Sequence, residues 1–97
     1  MKKLMILKEM DERGLSLLLK VKDSGVLLMM DAIYLANSED KRSSPVRIAV
    51  EEGKEIFILR MDAERRGLTE KLVKGVKQLS YDDFVDLLFN GATINNM

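Results

Sequence analysis

Few residues in this chain could do chemistry. Asp31 follows five consecutive apolar residues, Val26 to Met30, and Tyr34 lies about one helical turn further on. A carboxylate at the carboxyl end of a buried strand stands where parallel sheets gather ligands and partners. It is also a good helix cap, the commoner use of aspartate at such a place, and both readings stay open. Asp62 and Arg66 are four apart, a spacing that allows an ion pair on one helical face. Asp82 and Asp83 are adjacent, so they cannot face each other on a helix or share a proton. They read as partners of a helix's positive end. Between Arg60 and Lys77 lie six basic residues against three acidic ones, which reads as a solvated face ahead of a phosphate-binding patch.

The absences narrow the chemistry further. The chain has no Cys, His or Trp. Without cysteine it cannot hold a persulfide, form a disulfide or offer a thiolate to a metal. Without histidine it lacks the usual base near neutral pH, and serine–histidine and cysteine–histidine catalysis are excluded. Neither the glycine-rich dinucleotide fingerprint nor the P-loop pattern occurs. The stretch from Lys8 to Arg13 is not the Ser/Thr/Gly-rich loop a flavin site would want. No cofactor and no metal are expected.

These side chains must be positioned by a small domain. The 97 residues are 46% hydrophobic and 33% charged, an ordinary globular composition for one domain spanning 1–97. Lys plus Arg number 16, as do Asp plus Glu, so no general attraction to nucleic acid or anionic lipid is expected. No apolar run is long enough to cross a bilayer. The first residues lack the apolar core and cleavage site of a signal peptide, and the default location is the cytoplasm.

Val26 to Met30 is apolar without alternation, the pattern of a central strand covered on both faces. Lys3 to Lys8 reads as a first strand. A helix from about Glu12 to Lys22, with Asp11 as N-cap, supplies the crossover that two parallel strands require. Gly25 suits a left-handed turn before the second strand. Asp31 to Asn37 should begin a helix, and Ser38 to Ser44 a surface loop. Ser44 as N-cap with Pro45 at the first helical position opens another helix, which Gly53 stops. Glu55 to Arg60 is the third strand, followed by a short helix that Gly67 ends. Thr69 to Lys74 reads as a further helical turn. Val76 to Leu79, with Lys77 and Gln78 inside it, suits a sheet edge. Ser80 caps the last helix, with Phe84, Leu87 and Leu88 as its buried stripe, and 92–97 reads as a tail. The order is that of a doubly wound α/β domain with a mainly parallel sheet of four to five strands and helices on both faces.

Three segments in order resemble the DsrH/TusB family. Val26-Leu27-Leu28-Met29-Met30-Asp31-Ala32-Ile33-Tyr34 is similar to its strand-two motif. Glu55 to Leu68, ending Asp62-Ala63-Glu64-Arg65-Arg66-Gly67-Leu68, is similar to its third-strand motif. Val76 to Leu88, with Ser80-Tyr81-Asp82-Asp83-Phe84-Val85, is similar to its last-helix motif. Departures from the pattern are Ala32 and Arg65, where the family has glycine and alanine. A Ser-Pro after the first strand and a C-terminal tryptophan are also missing.

The resemblance implies a three-layer fold of the DsrE/flavodoxin kind and a subunit of a sulfur-relay complex. Its partners would be DsrE/TusD-like and DsrF/TusC-like subunits in a heterohexamer with two copies of each. Sulfur would pass as a cysteine persulfide on a partner, toward 2-thiolation of the tRNA wobble uridine or toward sulfur oxidation. This chain would be a non-catalytic supporting subunit, not itself an enzyme. The family-motif residues expected to serve contacts are Asp31, Tyr34, Asp62, Arg66 and Gly67. The alternative is a stand-alone homo-oligomer that binds a small anion or nucleotide near Asp31 and the basic stretch.

Overall fold

A computed structural model describes residues 3–89 and the backbone of 93–96. Five parallel strands form one sheet: β1 (Lys3–Leu7), β2 (Ser24–Leu28), β3 (Ile56–Leu59), β4 (Lys77–Leu79) and β5 (Thr93–Asn96), in the spatial order β4-β3-β2-β1-β5. β2 lies in the middle and all five of its residues are buried. That is why its sequence does not alternate: both of its faces are dry. The chain steps outward from β1 to β4, then returns past β1 to lay β5 on the opposite side, so the sheet is doubly wound.

The two faces are covered unequally. On one, Val26, Leu28, Ile56 and Ile58 pack against α1 (Glu12–Leu19), a 3-10 helix over Met30–Ala36, α2 (Ser44–Glu51) and α3 (Arg60–Arg65). Leu15, Leu18, Ile33, Leu35, Val46 and Ala63 from those elements complete this core. On the other, Leu4, Ile6, Leu27 and Phe57 meet Phe84 and Leu87 of α4 (Tyr81–Phe89). The register sets Ile6, Leu27, Phe57 and Lys77 side by side on this second face. The Lys77 ammonium lies 5.7 Å from the Phe57 ring centroid and 3.2 Å from Glu55. An edge strand can thus carry a lysine whose stem covers apolar surface.

Several local expectations hold. The Asp11 carboxylate accepts from the Gly14 N–H at 2.9 Å and caps α1. The Ser80 hydroxyl accepts from the Asp83 N–H at 3.0 Å, and the Asp83 carboxylate accepts from the Ser80 N–H at 3.3 Å, a reciprocal cap that opens α4.

Others need correction. The left-handed residue before β2 is Asp23 (φ 55°), while Gly25 lies within the strand. The N-cap of α2 is Ser43, one residue early, with Pro45 inside the first turn. The stretch from Thr69 to Lys74 forms no helix. It is turns held by an antiparallel bridge between Asn37 and Leu72. Leu88 is exposed rather than in the buried stripe of α4, since Phe84 and Leu87 alone face the sheet. Thr93–Asn96, read as a tail, is the edge strand β5 beside β1. The remainder of 92–97 lies outside the described residues.

Candidate functional site

β2 and β3 end together, Leu28 paired with Ile58, and the chain leaves each at the same edge of the sheet. After β2 the backbone turns sharply. Met30 has φ 52°, a left-handed conformation that costs a non-glycine residue about 1–2 kcal/mol. The turn is held from across the sheet: the Met30 N–H donates to Asp62 Oδ2 at 2.8 Å. Asp62 is only 7% exposed and lies in the first turn of α3, directly after β3. The carboxylate after one strand thus fixes the exit of its neighbour.

Arg66, four residues on, closes the group. Its Nη1 donates to the Asp62 carbonyl at 3.1 Å and stands 3.9 Å from Asp62 Oδ1. Its Nη2 and Nε reach Asp31 Oδ1 at 3.0 and 3.3 Å. Its guanidinium carbon is 6.0 Å from the Tyr34 ring centroid, within cation–π range. Gly67 secures this geometry through the backbone. With φ 66° it lets the Leu68 N–H return to the Ala63 carbonyl at 2.9 Å and its own N–H to the Glu64 carbonyl at 3.2 Å. That double bond pattern ends α3 and drops Leu68 into the core.

Asp31, Tyr34, Asp62 and Arg66 therefore meet in one cluster, and Gly67 shapes its frame. Asp31 is not the helix cap it could have been. The 3-10 helix has Met29 at its N-cap position and no side-chain cap, and the Asp31 carboxylate points to Arg66 with 70% of its side-chain surface exposed. The capping role expected of Asp31 is carried by Asp62. Met30 and Met61 also stand at this edge, exposed by 51% and 45%, and of the two only Met61 carries no signal in the residue pattern. The signal was Met30 at the end of an otherwise buried run.

Chemically the cluster is closed. Its one cation is shared between two carboxylates and an aromatic face. Among the described residues no group of three or more His, Cys, Asp or Glu side chains could hold a metal ion. The basic stretch divides: Lys71 pairs with Glu39 at 3.5 Å and Lys77 with Glu55, while Arg66 joins the cluster. Ala32, where the related motif has glycine, is fully buried and fits beneath the turn.

A small doubly wound parallel domain with an ionic cluster after its second and third strands is the class that fold and site define. The chain belongs to the DsrH-like family, whose model, described as DsrH like protein, matches residues 7–93. No curated protein matches the sequence. Among solved structures it is similar to the protein of unknown function MTH1491 from Methanobacterium thermoautotrophicum, with a TM-score of 0.78 at 14% identity over 97% of this chain and 96% of that one. It is likewise similar to the ychN protein from E. coli, with a TM-score of 0.75 at 16% identity over the whole of both chains. At these identities the likeness shows the fold alone. No helix among the described residues is long and apolar enough to cross a membrane.

Proposed function

We propose that this chain is a cysteine-free, non-catalytic subunit of a sulfur-relay complex. Its role is to hold a cysteine-bearing DsrE/TusD-like subunit, together with a DsrF/TusC-like one, in a heterohexamer. The observation that carries this reading is the closed cluster of Asp31, Tyr34, Asp62 and Arg66. Its charged groups are paired with one another, which suits the shaping of a surface. The absence of cysteine agrees, since the sulfur must then be carried elsewhere. The composition of the edge suits docking. Tyr, Arg and Met are the side chains enriched in protein interfaces, and flexible methionines adapt to a partner's contour. The work of the complex would be cytoplasmic sulfur transfer, toward tRNA wobble uridine thiolation or toward sulfur oxidation.

Co-expression with the DsrE-like and DsrF-like proteins of the same organism tests the reading. Native mass spectrometry should show an assembly holding two copies of each chain. Met30→Asp should remove this chain from the assembly while leaving its own fold intact. Recovery of the three proteins only as separate species would defeat the proposal.

A further inference from the structure

At the opposite edge of the sheet, where the strands begin, α1 and α2 diverge around a cleft of about 670 Å³. That volume is in the range of small-molecule sites. Its walls include the apolar side chains of Leu19, Val21, Pro45 and Ile48. Lys54 stands at one end, in the connection between α2 and β3. Its ammonium donates to the Val21 carbonyl and to the Ser24 hydroxyl, each at 2.7 Å. Both acceptors are neutral, and among the described residues no carboxylate lies within ion-pair distance of Lys54.

Partial desolvation is unfavourable for a cation: burial lowers the Lys54 pKa below the ordinary lysine value, offset in part by the charge of nearby Asp23. Two of its three N–H groups are engaged, which leaves one donor for a further acceptor. The charged lining is balanced in number, Lys20, Lys22 and Lys54 with Asp23, Glu52 and Glu55, and Glu55 is paired with Lys77.

We propose that this cleft binds a small amphipathic carboxylate, its head group on Lys54 and its apolar tail along Leu19, Pro45 and Ile48. This site shares no residue with the cluster after β2 and β3, and its occupancy does not depend on the sulfur-relay reading.

The test uses the full chain and three probes with the same tail: decanoate, decanol and decyltrimethylammonium, each kept below its micelle concentration. Binding is followed by calorimetry and by amide chemical shifts. Decanoate should shift the amides of residues 19–24, 46–49 and 53–55, and bind about tenfold or more tighter than either other probe, the scale of one charge-assisted hydrogen bond. Lys54→Met should remove that preference for decanoate and leave decanol binding unchanged. Ile48→Glu, at an exposed position where folding is not at stake, should abolish decanoate binding by placing a like charge beside the tail. Equal binding of the three probes, shifts confined to other surfaces, or undiminished decanoate affinity in either variant would overturn the assignment.

Discussion

The two ends of this sheet handle charge in opposite ways. At the carboxyl edge, Arg66 is shared between Asp31 and Asp62, and every charged member of the group has an opposite charge within 4 Å. At the amino edge, Lys54 donates to two neutral oxygens, and the Asp23 charge acts on it without a direct ion pair. A closed ionic group fixes shape and presents a finished surface. An open one retains the capacity to take up a counter-charge. The two proposals follow that contrast, with protein docking at one end and small-molecule uptake at the other.

The sharpest way to break the comparison is at Asp62. Replacing it with alanine leaves the Met30 N–H without its acceptor in a left-handed turn. It should lower stability by about 1–3 kcal/mol in urea denaturation. Asp62→Asn keeps an acceptor oxygen and should recover most of that loss. Arg66→Lys comes next. A lysine cannot span Asp31 and the Asp62 carbonyl while also covering Tyr34, so a loss of about 1 kcal/mol is expected, with weaker assembly in the co-expression experiment.

At the other edge, Lys54→Met removes two hydrogen bonds but also a desolvated charge, and a net change of about 1 kcal/mol or less is expected. The pH dependence is more telling. The folded pKa of Lys54 lies below its ordinary value of 10.5, so the unfolded chain holds that proton more tightly. Stability should therefore rise with pH between the folded pKa and 10.5, and the difference between wild type and Lys54→Met should grow over that interval. Denaturation midpoints of both proteins at several alkaline pH values read it directly. The smallest effect belongs to Asp31→Asn. The pair it breaks is exposed, and a change within about 0.5 kcal/mol is expected. Were Asp31 a helix cap after all, the loss would approach about 1 kcal/mol.

Those predictions follow from contacts that are unevenly legible in the sequence. Where a signal is local, it reads well. The unbroken apolar run of β2, the Asp11 and Ser80 caps, and the glycines that end α2 and α3 each declare themselves within a few residues. Asp62 as the holder of Met30 does not, because the two are 32 positions apart and meet only once β2 and β3 pair. Asp31 was open to being a cap because its local setting resembles one, whereas its actual partner is 35 positions away. Lys54 is likewise ordinary in sequence and becomes unusual only beside Val21 and Ser24. The resemblance to the DsrH/TusB motifs named Asp31, Tyr34, Asp62 and Arg66, which the fold brings together, and the family itself is shown by the model matching 7–93. Their geometry needed the fold. The β5 strand was missed for a plainer reason: Thr-Ile-Asn-Asn carries two asparagines, residues depleted in strands, and no apolar run.

The pairing of Lys3 with Thr93 has a kinetic consequence. Contacts between distant parts of a chain form slowly, since the intervening loop must close before they can stabilise anything. β1 through β4 can assemble as a nascent chain emerges, each strand beside the one before it, but the outer edge of β1 must wait for β5. Until then its outer row of N–H and C=O groups is an open template for another strand. A version ending before Thr93 should keep that template permanently and be the form most prone to aggregate.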